Sequence, residues 1–252
     1  MKIIITFLIA CIPFIDARSQ AIPAKYTELL KFVQMGPDQG DTASCLFVGS
    51  TGAMELIANK RHNIVNPKPY GPYDLAESYL MHAPDYTTAG KTFWEQAVLK
   101  FNRGFGIHID DWSFEAWNDT YENRGVWNYR SWNGMRKVPL PKLETIRLFA
   151  KGNRWSTSVL TDADVQKVKE ALWRYKSPVL INYNDNHFWH VVTIVGYDDN
   201  LPGICYDSPA RACPRETGAF YVRDSFGMKV EVRNYGWFKA KGNAAFVVKE
   251  AQ

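Results

Sequence analysis

The spacing of apolar positions changes about two thirds of the way along the chain. From Cys45 onward, Leu46, Phe47, Met54, Leu56 and Ile57 recur at positions that share a helical face, which predicts a helix starting at Cys45. Asp41, Thr42 and Ser44 offer capping oxygens just ahead of it. Similar spacing predicts helices over Tyr73–Leu80, Phe93–Phe101 and Asp162–Tyr175, the last with Thr161 as its cap ahead of Val165, Val168 and Leu172. From Pro178 the pattern shortens. Runs at Val179–Tyr183, His190–Tyr197, Ala219–Arg223 and Ala244–Lys249, with Gly, Asn and Asp between them, predict strands. Helices mostly in the first half and strands in the last third describe an α+β chain without an internal repeat or long linker.

The first residues read differently. Met1-Lys2 precedes an apolar run from Ile3 to Ala10 that continues through Ile12 to Ile15, and Ser19-Gln20-Ala21 supplies small residues for cleavage. This predicts a signal peptide over 1–21, cut after Ala21 with Ala17 as second choice, and a secreted or periplasmic protein of residues 22–252. Leu8-Ile9-Ala10-Cys11 also fits a lipoprotein box, so a lipid anchor on Cys11 is the alternative. No other stretch approaches the ~18 apolar residues of a membrane span, and the mature chain is expected to be soluble. At 252 residues with 46% hydrophobic content the chain can bury a sizeable core. Its net charge of +4 arises from 30 basic and 26 acidic residues with no dense basic tract, which argues against nucleic acid as a partner.

Cysteine arithmetic isolates one thiol. Of four cysteines, Cys11 leaves with the signal peptide, and Cys205 and Cys213 lie close enough, around a proline and small residues, to close a loop as a disulfide in an oxidising compartment. Cys45 remains, at a predicted helix N-terminus where the dipole and unsatisfied N–H groups stabilise a thiolate. His190 opens an apolar strand that Val191, Val192, Ile194 and Val195 already fill, so a titratable ring at its mouth calls for a special reason. Asp224 opens Asp-Ser-Phe-Gly at the end of another strand. Nucleophile, base and orienter can lie far apart in sequence, and these three fit the roles.

Gln39 stands six positions before Cys45, Gly52-Ala53-Met54-Glu55 follows it, and His190 lies at the roughly 130–150-residue spacing described for a papain-type histidine. In these features the chain resembles the papain-like cysteine peptidases. The family's late Asn-Ser-Trp-Gly segment looks like Asp224-Ser225-Phe226-Gly227, with a second glycine-aromatic stretch at Asn234-Tyr235-Gly236-Trp237. The resemblance implies a helical lobe, roughly 22–176, carrying the nucleophile, and an antiparallel β lobe, roughly 177–252, carrying the histidine and its partner, with the site in the cleft between. It further implies that Gln39 and the Cys45 backbone N–H hold the oxyanion, and that Phe226 shields the histidine's hydrogen bond as the family's tryptophan does.

The departures are specific. Thr42-Ala43-Ser44-Cys45-Leu46 replaces the family's Cys-Gly-Ser-Cys-Trp, which removes the disulfide usually anchored there, and residues 60 to 175 show no family pattern. Aspartate stands in place of asparagine; a carboxylate stabilises an imidazolium more strongly than an amide does. Asp207, in Tyr206-Asp207-Ser208-Pro209, is a rival orienter; Asp224 is preferred because Phe220 to Arg223 gives it a strand to end on, and residues 198–218 then read as a disulfide-closed loop inserted between base and orienter. About two dozen residues separate Ala21 from Cys45, too few for the family's long inhibitory propeptide.

No cofactor is expected. His187 and His190 lack a third metal ligand at a recognisable spacing, and His62, His82 and His108 are isolated. Trp112 to Trp132 mixes aromatics with polar residues and suits either a stacking surface in the cleft or the packing of an irregular lobe. Asn118-Asp119-Thr120 fits a glycosylation acceptor. The expected function is that of an exported cysteine-type peptidase acting on peptide or protein substrates. The alternatives are an inactive binding protein for peptide or glycan, and a thiol amidase or acyltransferase on cell-wall peptides.

Overall fold

The computed structural model describes residues 21–39, 45–77, 104–111, 133–151, 160–184, 189–202, 217–227 and 230–251. Its main sheet is antiparallel and is built from β4 (Leu143–Ala150), β9 (Gly242–Glu250), β5 (Val179–Asn184), β6 (Trp189–Pro202), β7 (Thr217–Arg223) and β8 (Glu231–Asn234), in that order. The short β1 (Lys25–Tyr26) takes the far end of β6, opposite Asp198 and Tyr197. β2 (Phe105–Ile107) and β3 (Lys137–Pro139) pair separately. The helices are α1 (Cys45–Arg61), α2 (Asp162–Tyr175) and the short α3 (Tyr235–Lys241).

The near-continuous apolar runs of β5, β6 and β9 follow from burial on both faces. Val179, Ile181, Val192, Ile194, Ala245 and Val247 join one core cluster with Val165, Val168 and Leu172 of α2 and Phe238 of α3. Their neighbours Leu180, Val191, Phe246 and Val248 join a second cluster with Phe47, Met54 and Ile57 of α1. Successive side chains of a strand point to opposite faces, so a sheet covered on both sides reads as uniformly hydrophobic. α2 runs over the span its spacing predicts; its first turn is closed by a capping box in which Asp164 accepts from the Thr161 backbone at 2.8 Å.

Three elements depart from the sequence expectation. α1 is buried along its whole length from Cys45 to Asn59, not along one face, because it lies between the sheet and the Leu75–Ile107–Val138 side of the core. Of the helix expected over Tyr73–Leu80, only Glu77 among the described residues is helical. Leu75 instead bridges to His108, and its backbone N–H donates to the Glu55 carboxylate at 2.9 Å. β1 and β4, which precede residue 177, belong to the main sheet; β4 is an edge strand with a register shift between Arg147 and Phe149, and its alternation is correspondingly blurred. The helix expected over Phe93–Phe101 lies outside the described residues.

A buried arginine joins the sheet to α1. The Arg223 guanidinium donates to the carbonyls of Gln34 (3.0 Å) and Val48 (2.9 Å) and pairs with Glu55 at 3.2 Å, with 2% and 1% of the two side chains exposed. Gly52 makes room for it: a Cβ there would sit 1.9 Å from Nη1, and one at Gly36 would sit 2.8 Å from Nη2. Burial drives the Glu55 carboxyl well above its ordinary range against the pull of Arg223. Burial likewise holds nearby Glu77 up to about 7.

Gly52→Ala should therefore lower unfolding free energy by about 1–3 kcal/mol, the range for overpacking a fixed interior. Arg223→Ala should cost about 3–5 kcal/mol, because it strands the Glu55 carboxylate without its partner. Since the folded-state pKa of Glu55 is raised, that carboxylate is disfavoured as pH rises past 4.5, and the Arg223→Ala loss should be smaller at pH 5 than at pH 7. Urea titrations at the two pH values check all three statements.

Candidate active site

Cys45 is the first residue of α1 and is 2% exposed. His190 is the second residue of β6, opposite Tyr183 of β5, and is equally buried. Asp224 follows directly on the end of β7, its side chain fully enclosed. The segment before α1 is laced to the loop after β7: the Gln39 backbone N–H donates to the Ser225 carbonyl at 2.8 Å, Asp38 bridges Phe226, and the Gly227 N–H donates to the Pro37 carbonyl at 3.3 Å. Gln39, 6% exposed, is thereby held beside the Asp224 loop.

The three chemically distinct groups meet at the imidazole. His190 Nε2 lies 2.7 Å from Asp224 Oδ1, and His190 is also hydrogen-bonded to the Cys45 thiol. Phe226 stacks on the ring with centroids 5.4 Å apart and planes within 7°, while Tyr183 meets it edge-on at 5.2 Å. Phe226 is 41% exposed, so its ring lies between the His190 imidazole and solvent.

Burial alone would push the His190 pKa down. The hydrogen bonds to Asp224 and Cys45 and their charges overcome it and raise the value to about 9. Burial would push the Asp224 carboxyl up, but His190, the Arg233 charge and the Ser225 backbone N–H hold it down at about 2. The favoured state of the pair is thus imidazolium beside carboxylate.

Residues that the sequence pattern did not single out complete the surroundings. Arg233 of β8 pairs with Asp224 Oδ2 and with Glu231, and its Nη1 donates to the Tyr183 hydroxyl at 3.0 Å. Its guanidinium lies 4.5 Å from the Trp237 ring centroid. The visible signal was Asn234-Tyr235-Gly236-Trp237: Asn234 caps α3 by accepting from the Trp237 N–H at 2.6 Å, which sets that indole against Arg233 and Tyr183.

The rival Asp207, the Cys205 and Cys213 pair, His187, His82, Asn118 and the aromatics from Trp112 to Trp132 lie outside the described residues, as do the capping candidates Asp41, Thr42 and Ser44. His62 stacks on Tyr73, and His108 Nε2 lies 2.8 Å from the Gly71 carbonyl; neither belongs to the site. Among the described residues no group of three or more His, Cys, Asp or Glu could hold a metal ion, and no helix is long and apolar enough to cross a membrane.

No protein-family profile matches the chain, and no curated protein matches it by sequence. Solved structures do match. The clostridial cysteine protease Cwp84 after propeptide cleavage aligns over 90% of this chain and 58% of its own, with 16% identity and a TM-score of 0.56. Xylellain, a cysteine protease from Xylella fastidiosa, aligns over 92% of this chain and 88% of its own at 13% identity and TM-score 0.56. The bromelain protease of Ananas comosus aligns over 91% of this chain and 100% of its own at 14% identity and TM-score 0.55. The chain thus spans little more than half the length of the Cwp84 chain it matches. With α1, which begins at Cys45, packed on an antiparallel sheet and His190 near the start of β6, this α+β chain has the papain-like fold.

Proposed function

We propose that this chain is an exported cysteine-type peptidase that cleaves peptide bonds through Cys45, His190 and Asp224, with Gln39 at the oxyanion. The observation that carries the reading is His190 hydrogen-bonded at once to Cys45 and to Asp224 Oδ1, the latter at 2.7 Å, at the N-terminus of a buried helix. The N-terminal apolar segment supports export and a mature unit of residues 22–252. Cys205 and Cys213 would then be joined as a disulfide.

In this mechanism the Cys45 thiolate attacks the scissile carbonyl carbon and the C=O π pair moves onto oxygen. The Gln39 side chain and the Cys45 backbone N–H take up that charge. Because Asp224 holds His190 at Nε2, the proton passes from Nδ1 to the leaving amine as the C–N bond breaks. A thioester remains on Cys45. Water gives a proton back to Nδ1 while its oxygen attacks the thioester carbonyl, and collapse breaks the C–S bond to release the acid and the thiolate. Asp224 stabilises the imidazolium throughout and fixes the ring orientation.

An epoxide- or vinyl-sulfone-type thiol probe on the purified mature protein should give a single adduct, mapped to Cys45 by mass spectrometry. The adduct should vanish in Cys45→Ala and fall sharply in His190→Ala, and Asp224→Ala should slow labelling far more than Asp207→Ala. A crippled Asp207 variant would move the orienter to that residue and leave the Cys–His pair standing. A Cys45 inert in the folded protein would favour the binding-protein reading. Peptide hydrolysis abolished by a thiol alkylator, set against a cell-wall peptide panel, separates peptidase from amidase.

The pH dependence follows from the two shifts. kcat/KM needs the protonated ring, so its alkaline limb should lie near pH 9, not near the 6.5 of an ordinary histidine. The stabilising effects run in opposite directions. That of His190 is complete below pH 6.5 and fades as pH rises through about 9, whereas that of Asp224 is complete above 3.8 and fades as pH falls through about 2. Urea midpoints of the wild type relative to His190→Phe should therefore converge between pH 7 and pH 10.

A further inference from the structure

An aspartate in this position carries one oxygen and one charge more than an amide partner would present to the imidazole. The carboxylate is fully enclosed, so water supplies neither its second set of hydrogen bonds nor its screening. Oδ1 is occupied by His190 Nε2 and the Ser225 N–H, each at 2.7 Å, and by the Ser225 hydroxyl at 3.3 Å. Oδ2 faces the Arg233 guanidinium.

That guanidinium is fixed on its other sides. Arg233 lies on β8 opposite Phe220 of β7, and Glu231, two residues earlier, shares its face and pairs with it. The Tyr183 hydroxyl accepts from Nη1, and the Trp237 and Tyr183 rings lie 4.5 Å and 5.3 Å from the guanidinium carbon. Only 10% of the arginine side chain is exposed. Tyr183 in turn packs edge-on against His190, so the arginine and the imidazole share a wall.

We propose that Arg233 is a positioning residue for the His190–Asp224 pair: its guanidinium takes one carboxylate oxygen, leaves the other to the imidazole, and cancels the charge by which Asp224 differs from an amide. The proposal rests on the peptidase reading. A carboxylate beside the ring without this cation would hold the imidazolium too firmly to release its proton to a leaving amine. It would also be able to turn, since either oxygen could then serve the ring. The arginine opposes the rotation because its Nη2 holds Oδ2 while the Tyr183 hydroxyl holds its Nη1, so the guanidinium cannot follow a turning carboxylate. The charged and titratable groups around it are Asp224 from the β7–β8 loop, Glu231 on β8, Tyr183 on β5 and His190 on β6. Burial holds the Glu231 carboxyl up to about 7, so its protonation changes the local balance near neutrality.

The test is the rate of Cys45 alkylation by iodoacetate, whose negative charge is drawn by the imidazolium, measured from pH 5 to pH 11. It compares the mature wild type with Arg233→Met, Arg233→Lys, Asp224→Asn and the double variant Asp224→Asn/Arg233→Met. Arg233→Met should lose about ten- to a hundredfold in rate near neutral pH, the scale of a lost hydrogen bond to a charged group, and its alkaline limb should move up. Asp224→Asn should move the limb down. The double variant, an amide with no stranded cation, should alkylate faster than Asp224→Asn and bring the limb back toward the wild-type position. Arg233→Lys should keep the limb and lose rate, because it keeps the charge without the second nitrogen that the Tyr183 hydroxyl holds.

A variant Arg233→Met with a lower urea midpoint but unchanged rate and limb would make the arginine merely structural and overturn the proposal. So would a double variant no faster than Asp224→Asn, a comparison that decides the matter even where Arg233→Met fails to fold. A wild-type Cys45 that alkylates no faster than in His190→Ala would overturn the peptidase reading and this proposal with it, an outcome distinct from the other two.

Discussion

The fold around the site depends on the enclosed Arg223 guanidinium. It belongs to the last residue of β7, one position before Asp224, and it binds the Gln34 carbonyl ahead of Gln39, the Val48 carbonyl in the first turn of α1, and the Glu55 carboxylate further along that helix. One side chain therefore sets the spacing between the segments bearing Gln39, Cys45 and Asp224. An enclosed ion pair is poor value as a source of stability, since desolvating both charges costs several kcal/mol per ion. Its value here is geometric. Five N–H donors in a rigid plane fix three segments in one relation, which an apolar contact of similar volume would not do.

The cost of enclosing that charge explains local features that would otherwise look unrelated. Gly52 is required because a Cβ would occupy the guanidinium, and a Cβ at Gly36 would crowd its Nη2 at 2.8 Å. Glu55 is held down by Arg223 and lifted by burial and by Glu77 and Asp74, so the cluster resists full ionisation. The Gly52-Ala53-Met54-Glu55 run is thus a socket for the arginine: glycine makes the space and glutamate, on the next turn, supplies the counter-charge. Glu55 also accepts from the Leu75 N–H, which extends the same fastening to the other side of α1.

The parts of the molecule that were legible in sequence are those whose chemistry or burial leaves a one-dimensional trace. β5 and β6 are apolar on both faces, and α2 has a capping box and a single buried stripe, so each is readable from its own residues. Cys45, His190 and Asp224 stood out because few residue types could fill the roles proposed for them, and they lie together around the His190 ring. The start of α1 at Cys45 was legible but its all-round burial was not, and β4 and β8 were missed because an edge strand of mixed residues has no clear alternation. Arg223, Glu231 and Arg233 were invisible for a different reason. A charged residue in a strand reads as a solvent-facing position, and only the three-dimensional pairing shows it to be interior.

Two interior arginines thus flank Asp224 in different ways. Arg223, next to it in sequence, turns toward α1 and fixes where the aspartate's backbone sits; Arg233, reached across the β7–β8 pairing, meets the carboxylate itself. The low pKa of Asp224 and the high pKa of His190 are one interaction described from its two ends, and both require that the carboxylate stay ionised out of water. Burial opposes that state, so an aspartate could be enclosed here only with more than one favourable partner. His190 supplies a donor on Oδ1 and Arg233 a full charge on Oδ2, and each of them lowers the pKa of the carboxyl that burial would raise. An enclosed aspartate beside His190 is therefore not a feature of a single position. It carries with it a requirement for a cation on β8, an aromatic wall of Tyr183 and Trp237 to keep that cation in place, and a carboxylate at Glu231 to balance it.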